Sequence, residues 1–481
     1  MTSARVNRAG VNRVAAAIVA VALIAVVAAA LGIGVRATFG AHVAVDETQY
    51  LLTALSLAQD GDLDITDELI EQRWRAFADV EPPVQTATRP DGQQISPHDP
   101  LLPLLLAIPA AAGGFVAAKL TLALLAGALA GLTLWVAVRR FDVPVPLAVA
   151  GVGLTAASAP LAVYGQQLYP ELPAALACLL GVAALTTPLS AGPAHRRGLA
   201  LLTVAVVALP WLSVKFAPVA AVLAVLGGLR CWRAGHRGDV LASGAALAVL
   251  GVGYLAVHRA VWGGWTVYAS GDHFERTGEF AVLGVSPDYL GRGLRLVGLL
   301  VDRDYGLAAW APAWLLLVPA TAALLARPPR GAAALLVPLA VGWLVATFVA
   351  LTMHGFWWPG RQLVVVAPLA VLVVLCWLAR SGAPLRAVAA TLGLAGVLSY
   401  GWLLADGYAR RITWVSGFDA TGSPVYRWLS PLLPDYRGDF WLAHLTWIAL
   451  LGTLAIWAWR RARTPLESLV VPLSPQKGIR Q

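Results

Sequence analysis

Along the chain, apolar runs of about 20 residues alternate with short basic turns and a few longer polar loops, the pattern of a polypeptide that crosses a bilayer repeatedly. The runs fall at residues 14–35, 115–138, 143–163, 169–187, 198–213, 216–229, 239–258, 309–327, 331–351, 361–379, 384–404 and 440–459. They predict an all-α polytopic membrane protein of about twelve transmembrane helices. The first run follows Arg5, Arg8 and Arg13; its length and the lack of a clear small-residue cleavage site read as a retained anchor rather than a signal peptide. The stretch Leu101 to Ala112 is too short to span and is interrupted by Gly113-Gly114, so it is expected as a half-inserted lead-in to the next span. The segment Asp46 to Asp60 places Tyr50, Leu51, Ala54, Leu55 and Ala58 at helical spacing before Gly61. It is read as an amphipathic juxtamembrane helix lying along the membrane surface.

Charge orients the runs. Arg139-Arg140, His195-Arg196-Arg197, Arg230 and Arg233, Arg327 and Arg330, Arg380 and Arg386, and Arg460-Arg461 all fall in turns that the positive-inside rule assigns to the cytoplasm. Joining 198–213 and 216–229 into one span would put Arg327, Arg330, Arg380 and Arg460 outside, so a hairpin is expected near Ser213 to Lys215. Both termini are then cytoplasmic in a multi-pass protein of the plasma (inner) membrane. The reading is one transmembrane domain over 1–460, with outer loops at 36–100, 259–308 and 405–439, and a cytoplasmic tail at 461–481 expected to be disordered.

Composition agrees and excludes alternatives. Of 481 residues 59% are hydrophobic and 13% charged, with a mean hydropathy of +0.71. The net charge of +9 resides in the inner turns rather than in a patch, which argues against a nucleic-acid partner. The three cysteines, Cys178, Cys231 and Cys376, imply neither a disulfide framework nor a thiolate metal site. The chain has no Walker loop, no dinucleotide GxGxxG after a strand, no HExxH and no GxSxG, so soluble nucleotide chemistry is not expected.

Candidate chemistry collects on the outer face: Asp46, Glu47, His98, Asp99, Tyr164, Tyr169, Glu171, Asp302, Arg303, Asp304, Tyr305, His354 and Arg361. For Asp46-Glu47 two readings stand side by side. One is a general base whose basicity is raised at an apolar boundary; the other is a helix cap. Tyr164, Tyr169, Pro170 and Glu171 form an outer turn that, taken by itself, reads first as an N-terminal cap with interfacial tyrosines and only second as part of a site. Arg303 and Arg361 have the side chain that grips phosphate bidentately, with a local ion pair to Asp302 or Asp304 as the alternative for Arg303. His98, Asp99 and His354, joined by Glu171 or Glu47, are candidates for a divalent metal ion, which spacing alone cannot show.

These stretches resemble a known group. Val45-Asp46-Glu47-x-x-Tyr50-Leu51-Leu52 followed by Asp60-Gly61-Asp62-Leu63-Asp64 is similar to the first outer loop of the GT-C superfamily of polytopic glycosyltransferases, which includes protein O-mannosyltransferases and lipid A aminoarabinose transferases. Tyr169-Pro170-Glu171, Leu209-Pro210-Trp211 through Lys215, Asp302-Arg303-Asp304-Tyr305-Gly306 and Trp358-Pro359-Gly360-Arg361 agree with it in order, from about Ala44 to Pro368. The resemblance implies inverting transfer of a sugar from a polyprenyl-phosphate donor to a lipid, glycan or protein acceptor of the cell envelope. Asp46 would be the base with Glu47 supporting it. Tyr50, Tyr169, Glu171, Arg303, Tyr305 and Arg361 are the candidate contacts to the donor and its phosphate. Aminoarabinose transferases carry a lysine after the histidine motif of this loop, which His98-Asp99-Pro100-Leu101 does not offer, so that subgroup's sugar is not carried over. The rival reading is a secondary transporter or lipid flippase, for which Lys119 and Lys215 are the ionisable candidates.

Overall fold

The computed structural model describes residues 2–83, 85–89, 91–189, 193–267 and 288–464. The middle of the predicted 259–308 loop and the tail from 465 onward lie outside the described residues. The order of helices is α1 (Thr2–Leu31), α2 (Asp46–Gln59), α3 (Thr66–Ile70), α4 (Leu101–Arg140), α5 (Val145–Ala156), α6 (Leu161–Tyr164), α7 (Glu171–Leu185), α8 (Pro193–Leu212), α9 (Ala217–Arg233) and α10 (Arg237–Trp262). After the undescribed stretch come α11 (Tyr289–Gly293), α12 (Arg295–Val301), α13 (Leu307–Trp310), α14 (Leu317–Ala326), α15 (Ala332–Leu344), α16 (Ala367–Ala379), α17 (Ala383–Tyr408), α18 (Pro424–Leu429) and α19 (Trp441–Arg463). The only sheet among the described residues is a short antiparallel ribbon pairing Ala87 with Ile95 and Thr88 with Gln94.

Eight described helical stretches are long and apolar enough to cross a membrane, among them Leu101–Arg140, Val214–Arg233 and Arg361–Ala379, while Val145–Ala156, Glu171–Leu185 and Pro312–Ala326 are apolar but shorter. Length and composition therefore establish a polytopic all-helical protein without fixing the count at twelve. The 198–229 region is a helical hairpin, with Ser213 extended between α8 and a 3-10 turn over Val214–Phe216 that opens α9. The lead-in also takes the expected form: α4 is continuous except at Gly113 and Gly114, whose backbone leaves the helical region (φ −153° and +60°).

The basic turns meet at one end of the bundle. Arg140 donates to Thr187 Oγ1 at 3.0 Å, Arg230 donates to the Leu185 and Thr187 carbonyls, and Arg380 donates to the Arg327 carbonyl at 2.8 Å. Such contacts satisfy the carbonyls that helix ends leave open. The segment between α1 and α4 folds over the opposite end, and one expectation about it is corrected there. Helix α2 does not lie on the surface; it packs against α4 with Asp46 through Ala54 and Ser56 all buried. Its polar residues tolerate this because several are bonded within the protein rather than to water.

Candidate active site

The site begins with a strained residue. Val45, which precedes α2, sits at φ +46°, ψ −108°, a conformation that a β-branched residue rarely adopts. The bend allows Glu47 to turn back. Its Oε2 accepts the Ala44 N–H at 3.0 Å and its Oε1 accepts the Leu168 N–H at 2.8 Å. Burial raises the Glu47 carboxyl above the ordinary range, and Lys119 and the two backbone donors offset only part of the rise. Glu47 thus ties the start of α2 to the turn before α7, and both its oxygens are engaged.

Asp46 faces elsewhere, because adjacent residues on a helix point about 100° apart. Its Oδ2 lies 2.8 Å from Arg361, its Oδ1 accepts from Gln85 Nε2 at 3.2 Å, and His98 Nε2 stands 3.9 Å away. Burial alone would push this carboxyl up; Arg361 and His98, together with hydrogen bonds from Arg361 and Gln85, overcome that and hold it at about 2. Arg361 also donates from Nε to Glu171 Oε1 at 2.8 Å. The same Glu171 oxygen accepts from Lys215 Nζ at 2.6 Å, and Gln362 Oε1 is 3.5 Å from that ammonium. The guanidinium carbon lies 4.0 Å from the Tyr169 ring centroid and 5.3 Å from that of Trp357, so both rings make cation–π contact with it. Two buried carboxylates, the buried Arg361 and the half-buried Lys215 therefore form one charge-balanced chain, Asp46–Arg361–Glu171–Lys215. Beside it, Glu171 Oε2 and the Tyr169 hydroxyl are buried without a hydrogen-bond partner. His98, whose ring packs 4.5 Å from Tyr50, bonds through Nδ1 to Ser96 Oγ at 2.8 Å, and burial lowers its pKa.

The structure thus brings Asp46, Tyr50, His98, Tyr169, Glu171 and Arg361 together. Arg303 and Tyr305 are not bonded into that chain. Arg303 pairs with Asp435 at 3.1 Å and is 40% exposed at its side chain, and the Tyr305 hydroxyl donates to the Gly355 carbonyl. They belong to a second polar group in which Asp302 accepts the Asp304 and Tyr305 N–H groups and His354 Nε2 stands 3.4 Å from Asp302. The ion pair expected for Arg303 forms, but with Asp435 rather than Asp302 or Asp304.

The three metal candidates engage three different partners. His98 faces Asp46, and His354 faces Asp302. Asp99 accepts from His258 Nε2 at 2.9 Å, Tyr254 at 3.1 Å and the Val214 N–H at 2.9 Å. Both oxygens of Asp99 are thus engaged, Oδ2 bracing the turn that carries Lys215 and Oδ1 tied to α10.

Two residues at the site, Lys215 and Gln85, are not among the donor-site candidates that the sequence offers. Lys215, a candidate only under the transporter reading, carries a signal nonetheless: it is one of three lysines, at a helix opening within a resembling stretch. Gln85, in a polar loop, carries none. Lys119, the other transporter candidate, is bonded to the His42 carbonyl at 2.7 Å and to Gln166 at 3.2 Å.

No protein-family model matches the chain, and no curated protein matches it. Among solved structures it is similar to ArnT from Cupriavidus metallidurans. With the crystal structure bound to undecaprenyl phosphate it shares 16% identity over 92% of this chain and 72% of that one, at a TM-score of 0.51. With the apo crystal structure the values are 17%, 94%, 73% and 0.52. At such identity the likeness concerns architecture alone, and at that level the chain shares the all-helical fold of that protein.

Proposed function

We propose that the protein is a membrane glycosyltransferase that moves a hexosyl or pentosyl group, with inversion, from a polyprenyl-phosphate donor to an acceptor of the cell envelope. The chain Asp46–Arg361–Glu171–Lys215 carries this reading. It places an acid next to paired cations, as displacement of a sugar from a phosphate requires. The fold shared with a structure bound to undecaprenyl phosphate supports the donor class. In the reaction, the acceptor oxygen attacks the anomeric carbon and its proton passes to Asp46. The bond from that carbon to the phosphate oxygen breaks, and the polyprenyl phosphate leaves with the electron pair. Arg361 and Lys215 take up the charge on the departing phosphate, with Tyr169 and Trp357 packed against the guanidinium.

The low Asp46 pKa gives the site an order of events. While Arg361 holds it, Asp46 is ionised but weakly basic. A donor phosphate that draws Arg361 toward itself leaves burial as the dominant influence on Asp46, and its basicity rises when the substrate is in place. Replacing Asp46 by Asn should lower transfer from a radiolabelled polyprenyl-phosphate sugar by about 10²–10⁴-fold while donor binding persists. Full retention of transfer would remove Asp46 from the mechanism.

A further inference from the structure

The acids that follow α2 take no part in the chemistry proposed above. Asp62 and Asp64 are occupied in holding their own loop. Ser56 Oγ donates to Asp62 Oδ1 at 2.9 Å, and Asp64 Oδ1 accepts from Thr66 Oγ1 at 2.5 Å and from the Gln94 N–H at 2.9 Å. Asp60, Asp67 and Glu68 instead converge, one ligand oxygen of each lying within 4.8 Å of the others. Glu68 is fully buried, and its Oε2 has no hydrogen-bond partner. Among the described residues the cation paired with this group is Arg73, which reaches Glu68 at 3.3 Å, Asp67 at 3.4 Å and Glu71 at 2.8 Å and is shared further with Gln59. Three carboxylates therefore share one guanidinium, with Asp60 beside them. A buried carboxylate with an unbonded oxygen beside other carboxylates is costly unless it takes up a proton or further positive charge is supplied, and burial with Asp67 alongside raises Glu68 to about 8.

We propose that Asp60, Asp67 and Glu68 form a Ca2+ site that fastens the end of α2 to α3 and to the turn bearing Arg73. An all-carboxylate donor set selects a hard cation over the transition metals that favour histidine and thiolate. Of the hard cations, Ca2+ accepts irregular oxygen-ligand sets completed by water, whereas Mg2+ demands near-ideal octahedral geometry and seldom takes a dedicated all-protein cage. Asp60 is exposed and forms the open side, through which the ion enters and on which water completes the coordination. Three protein carboxylates on an outer loop suit the weak binding of extracellular modules, with Kd of about 10⁻⁴–10⁻³ M. The inference is independent of the transferase reading, since it concerns the far end of the helix that begins at Asp46.

The test uses the full-length protein in detergent, stripped of divalent ions with EGTA. It is titrated with Ca2+ while the unfolding midpoint is followed, and with Tb3+ while luminescence excited through neighbouring Trp74 is followed. A saturable rise in midpoint is expected, with Mg2+ at least about tenfold less effective and Ca2+ displacing Tb3+. D60N, at an exposed position, should weaken both responses by at least about tenfold, and E68Q should remove them. The absence of a Ca2+ response in the wild-type protein, or equal responses in wild type and D60N, would overturn the site. D60N decides the matter alone if E68Q does not fold.

Discussion

Two neighbouring carboxylates end up with unlike work. Asp46 and Glu47 form an undivided acidic pair in the sequence, but Glu47 spends both oxygens on backbone N–H groups while Asp46 faces Arg361, Gln85 and His98. Glu47→Ala should therefore act on stability. Each buried donor left unbonded costs about 1–3 kcal/mol, so the unfolding midpoint in detergent falls while the fraction that remains folded keeps its transfer rate. A rate loss in that folded fraction as deep as that of Asp46→Asn would instead make Glu47 a participant in the chemistry. Arg361→Gln should reduce transfer by about 10²–10³-fold and also change its pH dependence. With the guanidinium gone, Asp46 keeps the burial that raises its pKa and loses the largest influence that lowers it. The acid limb of the kcat/KM profile then moves to higher pH, and an unmoved limb would separate Asp46 from the titration.

At the scale of elements, local pattern locates some helix ends and misses others, since the 143–163 run is two helices, Val145–Ala156 and Leu161–Tyr164. The predicted 46–60 helix appears as Asp46–Gln59, and the glycine pair at 113–114 breaks α4 where the apolar run changes character. What pattern missed is that α2 is buried on nearly every side, because an amphipathic sequence looks the same whether its polar face meets water or bonded partners. The strain at Val45 was likewise invisible, since it is imposed by the bonds of Glu47 rather than by the preference of valine. Val45→Gly should relieve it and stabilise the protein by about 1 kcal/mol after the added freedom of the unfolded chain is counted. By contrast, Val43→Gly, at a buried position, should destabilise. Thermal unfolding of the two variants side by side distinguishes backbone strain from lost packing.

For the whole molecule, the contacts divide the protein into a basic end, where the turns after α4, α7, α9, α14 and α16 meet, and an opposite end bearing the acid–base chain. The positive-inside rule assigns the basic end to the cytoplasm. Cysteine labelling tests the assignment against a quiet background, because all three native cysteines are buried. Asp91→Cys should react with a membrane-impermeant maleimide added from outside intact cells, and Arg196→Cys only after permeabilisation. The reverse pattern would invert the topology and move the site to the cytoplasm.

The sequence by itself determined the class of the protein, because hydrophobic length, glycine breaks and the placement of arginines act locally and survive in a linear string. It also singled out most of the polar residues that gather at the site. Only the tertiary structure decided which of them meet. Arg361 and Glu171 are 190 positions apart and Glu47 and Leu168 are 121 apart, so their pairing depends on how the helices pack, not on any spacing. That packing drew Lys215 into the chain, bonded Asp99 to His258 and Arg303 to Asp435, and turned an acid expected to be a raised-pKa base into one held low by arginine.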